Sequence, residues 1–245
     1  MNYLVEVNKL KKNYSSKEAV KGISFNIKEN EILGLLGPNG CGKTTTIGML
    51  LGLLKPSAGE IKIDNMSFEK NRIEILSKIN FISPYIELPK KLTVQQNLTV
   101  YGKLYNIKNL KERIEYLTEK LRLEELLKRV TGELSSGQKN RASLAKALIN
   151  KPKVLFLDEP TASLDPEIGD FVRSFLETYK RENKISILLA SHNMSEVSRL
   201  CKSVLMMKNG IIIDEGTPKD LIDKHGRKNL EEVFLKLSRS ENEFN

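Results

Sequence analysis

The chain has 245 residues, and 40% of them are hydrophobic, so it can bury a substantial core and is not intrinsically disordered. Lysine and arginine total 40 against 31 acidic residues, and the net charge of +9 favours an anionic partner such as nucleic acid, phospholipid headgroups or a phosphate-bearing ligand. Two cysteines cannot build a disulfide framework or a zinc site. The apolar runs fall short of the roughly 20 residues that span a bilayer. Together these observations predict a cytoplasmic chain, free or peripheral on the cytosolic face of a membrane.

Short apolar runs alternate with helical patterns, which predicts an α/β domain built on a largely parallel sheet. The predicted strands are residues 32–36, 60–63, 79–82, 154–157, 185–190, 203–208 and 211–215. The last two flank Asn209 and Gly210, a strong hairpin signal, so we expect the sheet to end in an antiparallel hairpin.

Residues 90–130 have no strand-like run and are predicted to form a helical insertion. Thr93 and Gln96 have the spacing of a capping box that begins a helix, and further helices are expected over 110–121 and 123–129. This segment holds ten Lys and Arg against five Glu, so more than half of the chain's excess positive charge lies in it.

The last part of the chain is predicted to be helical. Thr217 and Pro218 begin a helix that runs to about His225. A further apolar stripe recurs at i, i+3, i+4 and i+7, and its residues are Leu230, Val233, Phe234 and Leu237. We expect one domain over 1–225, with the helical insertion at about 88–133, and a short C-terminal helical extension over 226–245.

A glycine-rich segment from Gly37 to Thr44 satisfies G-x-x-x-x-G-K-[ST], between the predicted strand 32–36 and a predicted helix over 45–54. Its glycines let backbone N–H groups turn towards phosphate oxygens, Lys43 adds a cation, and the Thr44 hydroxyl can bind magnesium. The strand before it and the helix after it argue against a chance match. Cys41 is at a variable position of the pattern, where a small packed residue is a better explanation than a redox switch.

Two acidic residues follow the apolar run 154–157. Asp158 would lie at the carboxyl edge of the sheet, where open α/β folds bind ligands, and is a candidate second magnesium ligand. Glu159 is placed to orient or deprotonate an attacking water. The pattern alone is weak, but it becomes specific downstream of a phosphate-binding loop.

The segment Leu134-Ser135-Ser136-Gly137-Gln138 precedes a predicted helix over about 139–150. Ser135 can cap that helix, and the amides of its first turn would bind an anion. Taken alone, this segment is better explained as an ordinary serine-capped helix start.

Together these segments resemble the ATP-binding cassette (ABC) family over essentially the whole chain, and specifically the nucleotide-binding subunits of ABC transporters. The family's P-loop corresponds to 37–44, its LSGGQ signature to LSSGQ at 134–138, and its Walker B motif with catalytic glutamate to 154–159. Its D-loop corresponds to Ala162-Ser163-Leu164-Asp165, and its switch histidine to His192. The resemblance implies a RecA-like P-loop NTPase fold, α/β, with a helical subdomain and an antiparallel β subdomain.

The resemblance also implies roles for single residues. Glu159, His192 and Lys43 would be catalytic, and Thr44 and Asp158 would hold Mg²⁺. The residues expected to contact ATP are Tyr14, Gly37, Pro38, Asn39, Gly40, Cys41, Gly42, Lys43, Thr44, Thr45, Ser135, Ser136, Gly137, Gln138 and Asp165. Tyr14 would stack on adenine, although the local sequence would look the same if Tyr14 were simply a surface tyrosine in a hairpin. Taken alone, His192 would by default be interpreted as a buried structural histidine.

The family mechanism is implied in the same way. Two subunits, identical or paralogous, pack head to tail around two ATP molecules, so that Ser135 and Gly137 of one reach the γ-phosphate bound by the other. Binding closes the dimer, hydrolysis reopens it, and the helical insertion passes the motion to membrane-spanning permease subunits. The tail NLEEVFLKL resembles that of ATPases serving exporters of drugs, lipids or polysaccharides, so export is the expected direction, with no nucleic-acid partner.

Two positions depart from the family pattern. Pro84 occupies the place of a magnesium-binding glutamine if Leu92-Thr93-Val94 sets the register, and Ser83 or a water molecule would have to substitute for it. Ser136 replaces the first signature glycine, which predicts slower or weaker dimer closure rather than loss of activity.

Other classes of protein share some of these features. A soluble ABC ATPase acting on nucleic acid or ribosomes fits the basic charge, but such proteins carry two cassettes or a split cassette. An ABC subunit of cofactor assembly or cell division is a further alternative. A small-molecule kinase would have the P-loop without the LSSGQ and ASLD segments.

Overall fold

The computed structural model describes residues 3–15, 17–84, 86–162 and 164–239. The chain divides into two compact units, the first comprising 1–75 with 186–245 and the second comprising 76–185. The second unit contains the whole predicted insertion together with residues on either side of it. Within the described ranges, no helix combines the length and apolar character that crossing a bilayer requires.

The described residues form ten strands and nine α-helices. The strands are β1 (Tyr3–Tyr14), β2 (Lys17–Lys28), β3 (Ile32–Leu36), β4 (Ala58–Ile63), β5 (Met66–Ser67), β6 (Ile79–Ile82), β7 (Val154–Asp158), β8 (Ser186–Ala190), β9 (Ser203–Lys208) and β10 (Ile211–Gly216). The helices are α1 (Lys43–Leu50), α2 (Arg72–Lys78), α3 (Val94–Leu104), α4 (Leu110–Lys120), α5 (Ser136–Leu148), α6 (Pro166–Asn183), α7 (Met194–Leu200), α8 (Pro218–His225) and α9 (Leu230–Arg239).

The first unit contains two groups of strands. One is an antiparallel sheet in the order β2-β1-β4-β5. In the other group, β3 pairs in parallel with both β8 and β9, and β10 returns antiparallel to β9. All five residues of β3 and of β8 are buried, which is typical of parallel strands covered on both faces.

The apolar stripe near the C-terminus packs within the first unit. Leu230 and Val233 of α9 are fully buried, and α9 lies against α7 and α8. The side chain of Lys208 donates to the carbonyl oxygen of Leu237 at 2.9 Å, which fastens the end of α9 to β9.

The second unit contains the parallel pair β6 and β7, with Ile82 opposite Leu157, and the helices α3 to α6. Arg113 of α4 is buried, donates to the carbonyl oxygen of Leu148 at the end of α5, and donates to the Tyr179 hydroxyl of α6 at 2.7 Å. One guanidinium therefore connects three helices, because its fork of donors can serve several acceptors at once.

The predicted strands and the final hairpin are confirmed, and Asn209 and Gly210 have positive φ angles, as a tight hairpin turn requires. The capping box of Thr93 and Gln96 is also confirmed, with both of its hydrogen bonds present. The predicted bounds of the helix over 45–54 are wrong at its end. Helix α1 stops at Leu50, since Gly52 turns to a φ of +65° and the amides of the next two residues return to the Gly48 carbonyl.

The predicted helix over 123–129 is wrong, because a single 3₁₀ turn, Glu124–Leu126, stands there. Helix α5 begins at Ser136, one turn earlier than expected, since Ser135 caps it directly. The bounds of β1 and β2 were missed. Their pairing contains several register shifts, and these interrupt the alternation of inward and outward residues that identifies a strand.

Candidate nucleotide-binding site

The loop from β3 to α1 has the backbone shape of a phosphate-binding loop. Gly40 and Gly42 have φ angles of +77° and +114°, a region that glycine enters without strain. Gly42 is also the N-cap of α1, and no side-chain oxygen caps this helix. The first amides of an α-helix lack intrahelical acceptors, so they point out of the helix towards the loop.

The loop packs closely against its own unit. A Cβ atom on Gly37 would collide with the Met207 carbonyl oxygen and with the Cys41 sulfur. A Cβ atom on Gly42 would lie 2.7 Å from the carbonyl oxygen of Ala19 in β2. Two of the motif's glycines are therefore required by packing as well as by phosphate approach.

Lys43, the expected cation of the phosphate-binding loop, lies inside that loop. Its side chain is 7% exposed, and its Nζ donates to the carbonyl oxygens of Gly37 at 2.6 Å and Pro38 at 3.3 Å. Asn39 is exposed at the tip of the loop, next to Gly40. The amino group is thus held among neutral acceptors, and a phosphate could replace these as a charged acceptor.

The other motif residues surround this centre. Thr44 is exposed and Thr45 is half-buried in the first turn of α1. Cys41 is buried, and burial raises the pKa of its thiol despite the opposing effect of nearby Lys43. A raised thiol pKa disfavours the reactive thiolate, which supports the interpretation of Cys41 as a packed small residue.

His192 lies just beyond the same sheet edge as the loop. Leu35 of β3 pairs with Ala190 of β8, so the chain leaves both strands at matching heights, towards Gly37 and towards His192. Ser191 donates to the buried Glu196 at 2.8 Å and accepts from the Asn193 amide at 3.1 Å, which fixes the turn. His192 itself is exposed, so the alternative of a buried structural histidine is wrong.

Tyr14 ends β1 and is 43% exposed. The Lys12 ammonium lies 5.1 Å from the centroid of its ring. Its hairpin partner β2 passes along the loop, since Val20 as well as Ala19 lies against Gly42. A partly exposed aromatic ring therefore stands on the hairpin that borders the loop, with a lysine ammonium over it.

The acidic pair stands at the end of β7 in the second unit. Asp158 is 3% exposed, and Glu159, directly after the strand, has a φ of +51°. The parallel register of Ile82 with Leu157 brings Ser83 and Pro84 to the same strand edge. Pro84 thus follows β6 beside the acidic pair, as the family register implies, and it offers no side-chain oxygen.

The signature segment forms the start of α5. Ser135 accepts from the Gln138 amide, and the Gln138 side chain accepts from the Ser135 amide at 3.0 Å, which completes a capping box. Ser135 and Ser136 are exposed, whereas Gly137 is buried and a Cβ atom there would lie 3.2 Å from Ile168 of α6. The predicted serine cap is confirmed, and the hydroxyl-bearing end of α5 faces solvent.

The D-loop leads from Glu159 into α6. Asp165 caps α6 by accepting from the Ile168 amide at 3.0 Å. Ser163, which the resemblance places in this loop, lies outside the described residues. A cavity of 240 Å³ is lined by Glu159 of the acidic pair, and its lining also includes Ser83, Pro84, Ser136 and Asn140. Asn140 lies outside the motif segments identified in the sequence, so it was not predicted as a site residue.

Two motif residues carry oxygen donors of the kind that magnesium prefers. Thr44 in the first unit has a hydroxyl, and Asp158 in the second unit has a carboxylate; Mg²⁺ commonly binds groups of these types together with phosphate oxygens and water. Within the described part of the chain, no group of three or more His, Cys, Asp or Glu side chains is arranged to hold a metal ion.

Comparison with known proteins decides the family. A family model described as ABC transporter matches residues 20–162. The chain belongs to the ABC transporter family. The bacitracin transport ATP-binding protein BcrA of Bacillus licheniformis is 38% identical to this ABC ATPase over 234 residues, covering 94% of the chain and 75% of BcrA.

Two further matches extend this result. The Nod factor export ATP-binding protein I of Paraburkholderia xenovorans is 38% identical, with 89% of this chain and 72% of that protein covered. The dimeric post-hydrolysis structure of the ATP-binding cassette MJ0796 with ADP and Pi is 25% identical, with a TM-score of 0.80 over 87% of this chain and 98% of that one. The predicted fold class, the ATPase activity and the place in an ABC transporter are confirmed.

Proposed function

We propose that this ABC ATPase binds Mg²⁺ and ATP at the interface of a head-to-tail dimer and powers export by separate membrane-spanning subunits. The observation that carries the proposal is the start of α5, where Ser135 and Ser136 are exposed and a capping box fixes the helix end. A solvent-facing, uncharged helix N-terminus is a surface that accepts an anion from another molecule.

The loop 37–44 would hold the phosphates. Its amides and the buried Lys43 ammonium concentrate positive charge within a tightly packed turn. Thr44 and Asp158 would hold Mg²⁺, which neutralises part of the charge on the phosphates when bound. Tyr14 would stack on adenine through its ring, since the residue is 43% exposed.

Glu159 and His192 are the proposed catalytic side chains. A carboxylate after the Walker B strand can accept a hydrogen bond from a water molecule and orient it for attack. His192 is exposed, and the turn that carries it is fixed by Ser191, so its imidazole can donate to a phosphate oxygen. Lys43 would stabilise charge on the transferring phosphoryl group.

The dimer completes the proposed site. Ser135, Ser136, Gly137 and Gln138 of one copy would meet the ATP held by the loop of the other, and Asp165 would lie in the D-loop beside them. The MJ0796 cassette is dimeric with ADP and Pi bound, which supports this arrangement. Ser136 adds a hydroxymethyl group where the family has glycine, so we expect closure to be slower or weaker.

The helical insertion would carry the contact with membrane subunits. Lys90, Lys91, Lys103 and Lys108 are exposed there. Val100 and Leu104, one turn apart on α3, are 46% and 74% exposed. A helix face that combines exposed apolar residues with surrounding cations suits a partner with an apolar anchor and negative charge.

Export is the proposed direction, and it is supported by the relatives that this chain resembles. One of them is named for bacitracin transport and another for Nod factor export. The cytosolic face of the membrane is the proposed location, because ATP and basic docking surfaces meet there.

Recovery of tagged chain from detergent-solubilised membranes tests this proposal. We expect a multi-spanning membrane protein to co-purify, together with ATPase activity in the eluate. Recovery with ribosomes or nucleic acid, and without a membrane protein, would contradict it. Nuclease treatment in a parallel sample separates a direct partner from one bridged by nucleic acid.

A further inference from the structure

The backbone of Glu159 adopts an unfavourable conformation. Its φ of +51° is in the left-handed region, which is sterically unfavourable for a non-glycine residue. The direction of the Glu159 side chain depends on this turn. Surrounding contacts must therefore hold the turn in place.

One such contact comes from α5. The side-chain amide of Asn140 donates to the carbonyl oxygen of Pro160, the residue after Glu159, at 2.6 Å. Asn140 is half-buried in the second turn of α5, and Asn140 and Glu159 line the same cavity of 240 Å³. The amide therefore holds the peptide group one residue away from the proposed catalytic carboxylate.

The segment after Glu159 is also held further along. The Ala162 amide donates to the Glu159 carbonyl oxygen at 3.2 Å, which closes the turn. Gly137 at the start of α5 packs against Ile168 in the first turn of α6. Helix α5 thus contacts both ends of the segment from 160 to 168.

We propose that Asn140 is a positioning residue for ATP hydrolysis, which holds the Pro160 carbonyl and through it the left-handed turn that aims the Glu159 carboxylate. The proposal rests on the proposed function, in which Glu159 orients the attacking water. Because α5 begins at LSSGQ, the aim of Glu159 in one copy then depends on the helix that faces the partner's nucleotide.

The chemistry at position 140 is specific. Only a donor can bond a carbonyl oxygen, and aspartate would set an acceptor against it at nearly the same size. Glutamine keeps the donor on an arm that is longer by one methylene group. Substituting Asn140 by Asp, Ala and Gln therefore separates the effect of losing the hydrogen bond from the effects of changing side-chain size and polarity.

A double-mutant cycle tests the proposal. Asn140→Ala, Asn140→Asp and Asn140→Gln are made in the full chain, and Asn140→Ala is repeated with Glu159→Gln. Asn150→Ala is the matched control. Asn150 also donates from its side-chain amide to backbone carbonyl oxygens, those of Ser77 and Ile79, but away from the Glu159 turn. Turnover, KM and ATP affinity are measured, with thermal unfolding as a check on folding.

We expect Asn140→Ala and Asn140→Asp to lower kcat about tenfold, with ATP affinity within a factor of two, and Asn140→Gln to restore part of the loss. In single-turnover assays with labelled ATP, Asn140→Ala should lower the residual rate of the Glu159→Gln protein no further, because the group that it positions is already gone. Asn150→Ala should leave kcat near normal.

Three outcomes would overturn the inference. They are an equal loss in both backgrounds, an equal loss in Asn150→Ala, or normal kcat in Asn140→Asp. If Glu159→Gln itself turned over normally, the role of Glu159 in the proposed function would fail first. An inactive Glu159→Gln protein together with an unaffected Asn140→Asp protein would overturn the inference alone.

Discussion

The backbone amide of Gly210 donates to the carbonyl oxygen of Cys41 at 3.0 Å. This bond joins the turn of the final hairpin to the middle of the phosphate-binding loop. The Gly210 carbonyl oxygen also accepts from the Lys21 amide of β2 at 2.8 Å. A turn about 170 residues away in sequence therefore sets the position of the loop that we expect to bind ATP.

Gly210→Ala should weaken ATP binding. Gly210 has a φ of +82°, and a Cβ atom there would lie 2.9 Å from the Ala19 carbonyl oxygen of β2, so the turn must shift and disturb its hydrogen bond to the loop. We expect a loss of about 2 kcal/mol in the free energy of unfolding and about tenfold in ATP affinity. Denaturant unfolding and equilibrium nucleotide binding measure the two effects.

Gly226→Ala is the control for that change. Gly226 has a φ of +59°, but among the described residues no atom other than those of its chain neighbours lies within 4 Å of its added Cβ position. It should lose about 1 kcal/mol from backbone strain and keep its ATP affinity. Equal ATP affinities in the two variants would show that the hairpin turn does not support the loop.

Lys146 of α5 gives a prediction for pH. It is 8% exposed, donates to the Phe81 carbonyl oxygen at 3.1 Å, and lies 4.7 Å from the centroid of the Phe81 ring and 5.6 Å from that of Tyr101. Burial lowers its pKa to about 8. A lysine in the unfolded chain keeps a pKa near 10.4, so between these values the unfolded state holds more protons and stability rises with pH.

The free energy of unfolding of the wild type should therefore rise relative to that of Lys146→Met from pH 8 towards pH 10. The rise is at most about 3 kcal/mol, and the difference should be constant below pH 7. Exposed Lys128 supplies the control, because Lys128→Met should differ from the wild type by an amount that does not change over this range. A flat difference for Lys146→Met would contradict the assignment of a buried, neutralisable amine.

The basic residues of the insertion are expected to matter for association with membranes. Replacing Lys90, Lys91, Lys103 and Lys108 by Glu should reduce recovery with membranes or membrane partners, and rising salt should reduce the difference from the wild type. The control is the replacement by Glu of four exposed lysines of the first unit, Lys28, Lys62, Lys70 and Lys219. An equal loss in both variants would mean that net charge, and not this surface, directs association.

Local signals in the sequence predict much of this molecule. The loop 37–44 was identifiable because its glycines and Lys43 form a short motif, and the strand and helix that flank the loop are adjacent to it in sequence. The hairpin at Asn209 and Gly210 and the caps at Thr93 and Ser135 were identifiable for the same reason. Each depends on backbone geometry that one or two adjacent residues control.

Contacts between distant segments were not predictable in this way. The bond from Asn140 to Pro160 joins residues 20 apart through a side chain that no motif specifies. The left-handed backbone at Glu159 is held by its surroundings and not by its residue type. The support of Cys41 by Gly210 likewise depends on β9 pairing with β3, which the pattern of apolar residues does not determine.

Glu159 is the proposed water-orienting carboxylate of an ATPase that dimerises around ATP, and substituting its carboxylate by an amide tests this role. ATPase rate, ATP affinity and size by gel filtration with ATP are measured for Glu159→Gln beside the wild type. We predict normal ATP binding, loss of steady-state turnover and an ATP-dependent dimer that persists, because the amide keeps the shape of the side chain and loses its base. Near-normal hydrolysis with no trapped dimer would show that Glu159 does not have this role.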